Sequence, residues 1–335
     1  MSDAHEPKID PYWFRPRPSM TAMEAAEKAG VQVDVAKRIW RALGLPEVSD
    51  YDVLFDERDV EALRLCIRIA DTGISVDELA TLSRVYGKAA SMIADAQILT
   101  FRRNYLDPAL ERAGSQEELR ELIEQPAEWL LQASEELFEY ARRRHLVRAL
   151  EFQPQTESDE ETFEMAVGFV DLVDFTRVSR DLSAMELTGL VEHFEETAIG
   201  TCADHDVRVV KVIGDAVMFV SARPTNLIQA ARSILDRVEQ DDTLPSARAG
   251  ADFGPVSSVG GDYYGEPVNA ASRITGFAKP TTLVISKDLL EAAPPGFAKT
   301  SRIRLKNLKG VRRVVLHKVH SVNPPRSDDR ERASE

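Results

Sequence analysis

The 335-residue sequence predicts two unlike halves, an all-α segment followed by an α+β domain with a mainly antiparallel sheet. Three observations predict this. Apolar residues recur at helical spacing from Thr21 to about Leu150, with few β-branched runs. A polar, acidic, proline-containing stretch, "EFQPQTESDEET" at 151 to 162, reads as an exposed connector. Beyond it, short β-branched runs alternate with helical segments and hairpins, the pattern of α+β rather than of a parallel sheet.

In order along the chain, residues 1 to 18 ("PYWFRPRP" among them) read as a loosely docked arm. The helical segments "TAMEAAEKAG", "DVAKRIWRALG", "DERDVEALRLCIRIADTG", "SVDELATLSRVYGKAASMIADAQILTFRRNYL" and "SQEELRELIEQPAEWLLQASEELFEYARRRHLVRAL" follow. Ser75 with Glu78, and Ser115 with Glu118, have the spacing of reciprocal N-terminal caps. After the connector come a strand "EMAVGFVDL", a helix "SAMELTGLVEHFEETAIGTCADH", a strand pair "VRVVKVIG" and "AVMFVS", and a helix "TNLIQAARSILDRVEQ". Strands "ARAGADFG" and "VSSVGGD", a helix "EPVNAASRITGFA" and a strand "TTLVIS" come next. "RIRLKNLKGVRRVVLHKVH" reads as a hairpin, and the tail from Ser321 to Glu335 as disordered. The implied division is a helical domain over 1–150, a linker over 151–162, an α+β domain over 163–320 and a tail over 321–335.

Composition narrows the function. A formal charge of −14, with 27 acidic against 20 basic residues in the first 150, disfavours nucleic acid as a partner. No apolar run approaches the roughly 18 residues that span a bilayer, and the N-terminus lacks a secretion signal, so the expected location is cytoplasmic with no transmembrane segment. Cys66 and Cys202 have no metal-type spacing around them and read as core thiols.

Asp171 closes one apolar strand, and Asp215 sits on a Gly-Asp corner after another. Two carboxylates at strand ends can converge on a hard cation, Mg2+ or Mn2+; the alternative is that each acid caps the element after it. A helix start at "DFTRVS", with Phe175 and Thr176 in its first turn, offers free amides to phosphate. Acids for a metal beside amides for phosphate describe a nucleoside triphosphate site.

The blocks "FVDLVDFT" (169 to 176), "KVIGDAVMF" (211 to 219), "GDYYGEPVNAASR" (261 to 273) and "LKGV" (308 to 311) resemble, in order, the class III adenylyl cyclase catalytic domain. The resemblance implies a ferredoxin-like βαββαβ core that works as a homodimer with two catalytic sites at the subunit interface. It implies ATP as substrate, 3′,5′-cyclic AMP and pyrophosphate as products, and two Mg2+ or Mn2+ ions per site on Asp171 and Asp215. Lys211 and Asp262 then read the base, Asn269 orients the ribose, Arg273 steadies the triphosphate, and Lys309 contacts phosphate, with Lys306 as its rival. The alternative is a cyclase-fold module that senses nucleotide without turnover. One departure is Asp174, where the family usually has glycine; it is expected to cap the following helix, turned away from the nucleotide.

The first half begins like a MerR-type winged helix but resembles more closely the helical regulatory domain of actinobacterial cyclases, which implies control by pH or lipid. His145, beside Arg142, Arg143 and Arg144, is a candidate pH sensor on a coupling helix. The stripe of Leu79, Leu82, Met92 and Ile98 reads either as core packing or as a slot for a fatty acyl chain.

Overall fold

Side-chain brackets close several helix starts in the first half. The structure is a computed structural model and describes residues 16–47, 49–151, 162–303 and 315–323. The chain divides into two units, Met1–Arg148 and Ala149–Glu335. In the first, strand β1 (Met20–Thr21) leads into helix α1 (Ala22–Ala29), where the Thr21 hydroxyl accepts from the Glu24 amide and the Glu24 carboxylate accepts from the Thr21 amide. Helix α2 (Val33–Ala42) stacks Trp40 on Phe55 of strand β2 (Val53–Phe55), ring centroids 4.1 Å apart. Strand β2 pairs antiparallel with β1, a short ladder that helical periodicity did not reveal. Helices α3 (Glu57–Ala70) and α4 (Val76–Phe101) follow, the latter capped reciprocally by Ser75 and Glu78 as expected. A π-turn at Arg102–Leu106 joins α4 to α5 (Asp107–Arg112).

Helix α6 (Gln116–Glu151) starts at Ser115, whose hydroxyl accepts from the Glu118 amide at 3.1 Å. The Glu118 carboxylate accepts from the Gly114 amide instead of closing back on Ser115. Each such bracket contributes on the order of 1 kcal/mol to its helix. Leu79 lies in the core with Trp40, Val60 and Leu63, whereas Leu82, Met92 and Ile98 are exposed on α4. His145 is exposed on α6, and Arg142 and Arg143 both bind Glu139. Among the described residues, no helix is long and apolar enough to cross a membrane.

The second unit runs β3 (Thr162–Leu172), α7 (Phe175–Asp181), α8 (Ala184–Asp204), β4 (Arg208–Ile213), β5 (Ala216–Ser221) and α9 (Pro224–Glu239). It continues through β6 (Ala247–Val259), β7 (Asp262–Tyr264), α10 (Glu266–Phe277), β8 (Leu283–Ser286), α11 (Lys287–Ala292), β9 (Ala298–Ile303) and β10 (Leu316–Val322). The sheet order is β4-β5-β3-β6-β8-β10-β9, with β7 paired to β6. Its first four positions, read with helices α8 and α9, are the expected βαββαβ core: β4, β5, β3 and β6 pair antiparallel throughout. One face carries Ala166, Val170 and Phe219 against Phe194 of α8 and Ile234 of α9; the other carries Met165, Val167 and Phe169 against Ala271 of α10.

Three features differ from expectation. The runs around Gly254 are one continuous strand, β6, because Pro255 takes an exposed position opposite Glu164 and does not break the pairing. Helix α11 and strand β7 were not foreseen. Strand β10 carries the ordered chain past Ser321 to Val322, where a tail was expected.

Glycine is required at Gly250. A Cβ there would stand 2.2 Å from the Thr275 amide nitrogen, so its absence lets α10 lie directly on β6.

Candidate active site

Strand pairing brings the two acids together. Asp171, near the end of β3, is opposite Ala216 on one side and Arg248 on the other. Asp215 follows Gly214, whose φ of 62° makes the tight β4–β5 corner, and the Leu172 amide donates to the Asp215 carbonyl at 3.1 Å. Both acids line a cleft of about 420 Å³ with Asp174, Phe175, Thr176, Arg177, Arg180 and Arg248. Burial pushes the Asp215 carboxyl above its ordinary range, and the nearby charge of Asp171 pushes it the same way. Arg248 grips Asp171 Oδ2 with Nε at 3.0 Å and Nη2 at 2.6 Å, while its Nη1 donates to the Gly276 carbonyl near the end of α10.

The amides of Phe175 and Thr176 stand in the first turn of α7, ahead of the bonds that Arg177 and Val178 donate to the Asp174 carbonyl. Asp174 does not do what was expected of it. Its backbone is left-handed, φ 58°, its side chain caps nothing, and it lines the cleft with an ion pair to Arg177 at 3.7 Å. A left-handed residue turns its side chain away from the N-cap geometry, which requires extended backbone.

The other expected residues lie elsewhere. Lys211 on β4 forms an ion pair with Asp262 Oδ2 at the start of β7, and the Tyr263 amide donates to Asp262 Oδ1 at 2.9 Å. Asn269 and Arg273 are exposed on one face of α10, and Asn269 Nδ2 donates to the Gly265 carbonyl at 3.3 Å. None of these four lines the cleft of Asp171 and Asp215. Lys309, Lys306 and the "LKGV" block lie outside the described residues.

Three cleft residues escaped the sequence reading: Arg177, Arg180 and Arg248. The signal for Arg248 was present, since it is the one charged residue at the head of the small, apolar strand start "ARAGA", on the same alternation as Gly250.

Asp171 and Asp215 are the pair that could hold a divalent cation. The mutual repulsion of their carboxylates and their hard oxygen donors fit Mg2+ or Mn2+. Among the described residues no cluster of three His, Cys, Asp or Glu side chains forms a metal site. An ion here would complete its shell with water and phosphate oxygens, which is how Mg2+ is commonly held.

Comparison with known proteins bears on both units. Residues 18–145 match the adenylate cyclase regulatory domain family, and residues 158–238 match the adenylate and guanylate cyclase catalytic domain family. An adenylate cyclase of Streptomyces coelicolor is 32% identical over 274 residues, covering 81% of this chain and 71% of that protein. One of Streptomyces griseus is 33% identical, covering 79% of this chain and 66% of that one. A pH-sensitive adenylate cyclase of Mycobacterium tuberculosis is 29% identical, covering 82% of this chain and 70% of its own length.

Proposed function

The chain belongs to the adenylate cyclase family, with an N-terminal regulatory domain, and from that premise we propose a site completed by two copies of the chain. ATP is closed there to 3′,5′-cyclic AMP and pyrophosphate. The observation that carries the proposal is the separation of two half-sites. The acids, the amides of α7 and three arginines share a cleft, while Lys211, Asp262, Asn269 and Arg273 lie outside it. Exposed apolar side chains at Ile213, Val259, Tyr264 and Phe277 flank the second group and would be covered by a partner copy.

Asp171 and Asp215 would hold the divalent ions, which, when bound, make the 3′-hydroxyl more acidic and neutralise charge on the phosphates. The amides of Phe175 and Thr176 donate to phosphate oxygens, and Arg177, Arg180 and Arg248 set positive charge around the triphosphate. The Lys211 ammonium donates to an adenine ring nitrogen and the Asp262 carboxylate accepts from the exocyclic amine, a pattern that guanine reverses. Asn269 orients the ribose, and Arg273 takes up charge growing on the α-phosphate, a contribution on the order of 3 kcal/mol. The 3′-oxygen bonds to the α-phosphorus as the bond to pyrophosphate breaks, and the hydroxyl proton passes to solvent.

A second reading has one observation in its favour. Asp174 adds a carboxylate to the cleft, which suits a module that senses nucleotide without turning it over. Purified protein incubated with ATP and Mn2+ decides between them. Cyclic AMP that disappears in Asp171→Asn and Asp215→Asn supports the enzyme; tight ATP binding without product supports the sensor. The regulatory unit is expected to set the rate of the catalytic unit, with pH or a fatty acid as its signal, which activity of the full chain across pH, with and without added fatty acid, tests.

A further inference from the structure

Strands β4 and β7 are not hydrogen-bonded neighbours: β4 pairs with β5, and β7 with β6. Yet the base-reading pair spans them, with Lys211 on one and Asp262 on the other. Side chains therefore bridge two strands that the backbone ladder does not join directly.

A second tie runs beside the first. Arg208, three residues before Lys211, places its guanidinium 5.9 Å from the ring centroid of Tyr263 and brings Nη1 within 3.5 Å of the Tyr263 hydroxyl. Tyr263 follows Asp262 directly, is buried, and meets Phe163 of β3 edge to face with centroids 6.0 Å apart. Its amide is the donor that fixes Asp262 Oδ1. So Tyr263 is anchored by its ring while its backbone aims the acid.

Both ties require an irregularity in β4. Residues three apart on a regular strand face opposite sides of a sheet. Here the register shifts: Arg208 is opposite Val220 and Val209 opposite Phe219, but Lys211 is opposite Met218, leaving Val210 as the extra residue. This bulge returns Lys211 to the face that Arg208 occupies. Both cations then look toward β7.

We propose that Arg208 and Tyr263 are positioning residues for base selection, acting through Asp262 and Lys211 without touching the nucleotide. The proposal rests on the reading of Lys211 and Asp262 as the base readers. A cation over an aromatic face tolerates some sliding but resists separation. Loosening it lets the acid and the ammonium part, and discrimination between adenine and guanine falls with them.

The test compares kcat and KM for ATP and GTP, with the melting temperature of each variant, in the full-length chain. Tyr263→Leu and Arg208→Ala are expected to lower the ATP-over-GTP preference by about 10-fold, mainly through a higher KM for ATP, the scale of one lost base contact. Arg208→Lys keeps a cation and regains most of the preference. Tyr263→Phe keeps the ring and stays within about 2-fold of the parent. If Tyr263→Leu does not fold, Arg208→Ala decides. Asp262→Ala separates the two ways of failing. Collapse of preference in Asp262→Ala with none in Arg208→Ala or Tyr263→Leu overturns the positioning role. Preference intact in Asp262→Ala overturns the base-reading assignment beneath it. A lower melting temperature with unchanged preference makes the Arg208–Tyr263 tie structural only, which also overturns the proposal.

Discussion

Replacing Gly250 with alanine probes the link between packing and chemistry most directly. The added Cβ would stand 2.2 Å from the Thr275 amide nitrogen and 2.6 Å from its hydroxyl, and backbone cannot rotate out of the way. Ordinary contact begins at 3.4 Å, and 3.4 Å less 2.2 Å leaves α10 and β6 to separate by about 1.2 Å. Overpacking of this kind costs about 1–3 kcal/mol. Helix α10 carries Asn269 and Arg273, proposed above to orient the ribose and take up phosphate charge, and a displacement of about 1 Å in groups with such roles can cost on the order of 100-fold in rate. Thermal unfolding followed by circular dichroism reads the first effect, and initial rates of cyclic AMP formation read the second. Gly189→Ala, on an open face of α8 with nothing within 4 Å of the new methyl, is the control; helix propensity predicts a gain of about 0.5–1 kcal/mol there. Gly250→Ala with parental melting temperature and rate would refute the claim that this close approach seats the helix.

Four further outcomes are expected. Asp171→Asn or Asp215→Asn lowers cyclic AMP formation by at least about 100-fold at saturating Mn2+ while leaving the fold intact, checked by activity beside circular dichroism. Asp174→Gly relieves a left-handed residue and removes a carboxylate from the cleft, so KM for ATP falls with no loss of melting temperature. Asp252 is buried with Oδ1 unpartnered, and burial raises its carboxyl above the ordinary carboxylate range. The folded chain then binds that proton more tightly than the unfolded one, so stability falls as pH climbs from about 4 through the raised value. Asp252→Asn flattens that fall in a plot of melting temperature against pH. Burial pushes the Cys202 thiol up to about 12, so a thiol reagent at pH 8 labels Cys66 first and reaches Cys202 only on unfolding, as mass spectrometry of the labelled protein would report.

The antiparallel α+β character was legible because short apolar runs alternate with turn signals, as "KVIGDAVMF" does around Gly214 and Asp215, whereas the ferredoxin-like order of the core came from the resemblance to the cyclase domain. Asp171 and Asp215 stood out as carboxylates at strand ends, but the pattern alone left capping of the next element as an equal alternative, and the family blocks were what favoured a metal pair. What escaped depends on three-dimensional register. The bulge at Val210 sits in a run of valines, with no glycine to announce it. The continuity of β6 through Gly254 and Pro255 follows from which edge Pro255 faces, which only the pairing partner decides. The β1–β2 ladder is too short for any periodicity to register. Asp174 was misjudged because the residue type favours a cap while its backbone conformation forbids one.

The separation of the cleft from the Lys211–Asp262 pair has an arithmetic consequence. If the site is completed by two copies as proposed, a chain lacking Asp171 would keep its adenine-reading half and a chain lacking Lys211 its acidic half, so each would be inert when paired with itself. Mixed freely, half of the pairs would be hybrids, each with one complete site and one doubly broken, restoring about a quarter of the parental turnover from two dead proteins.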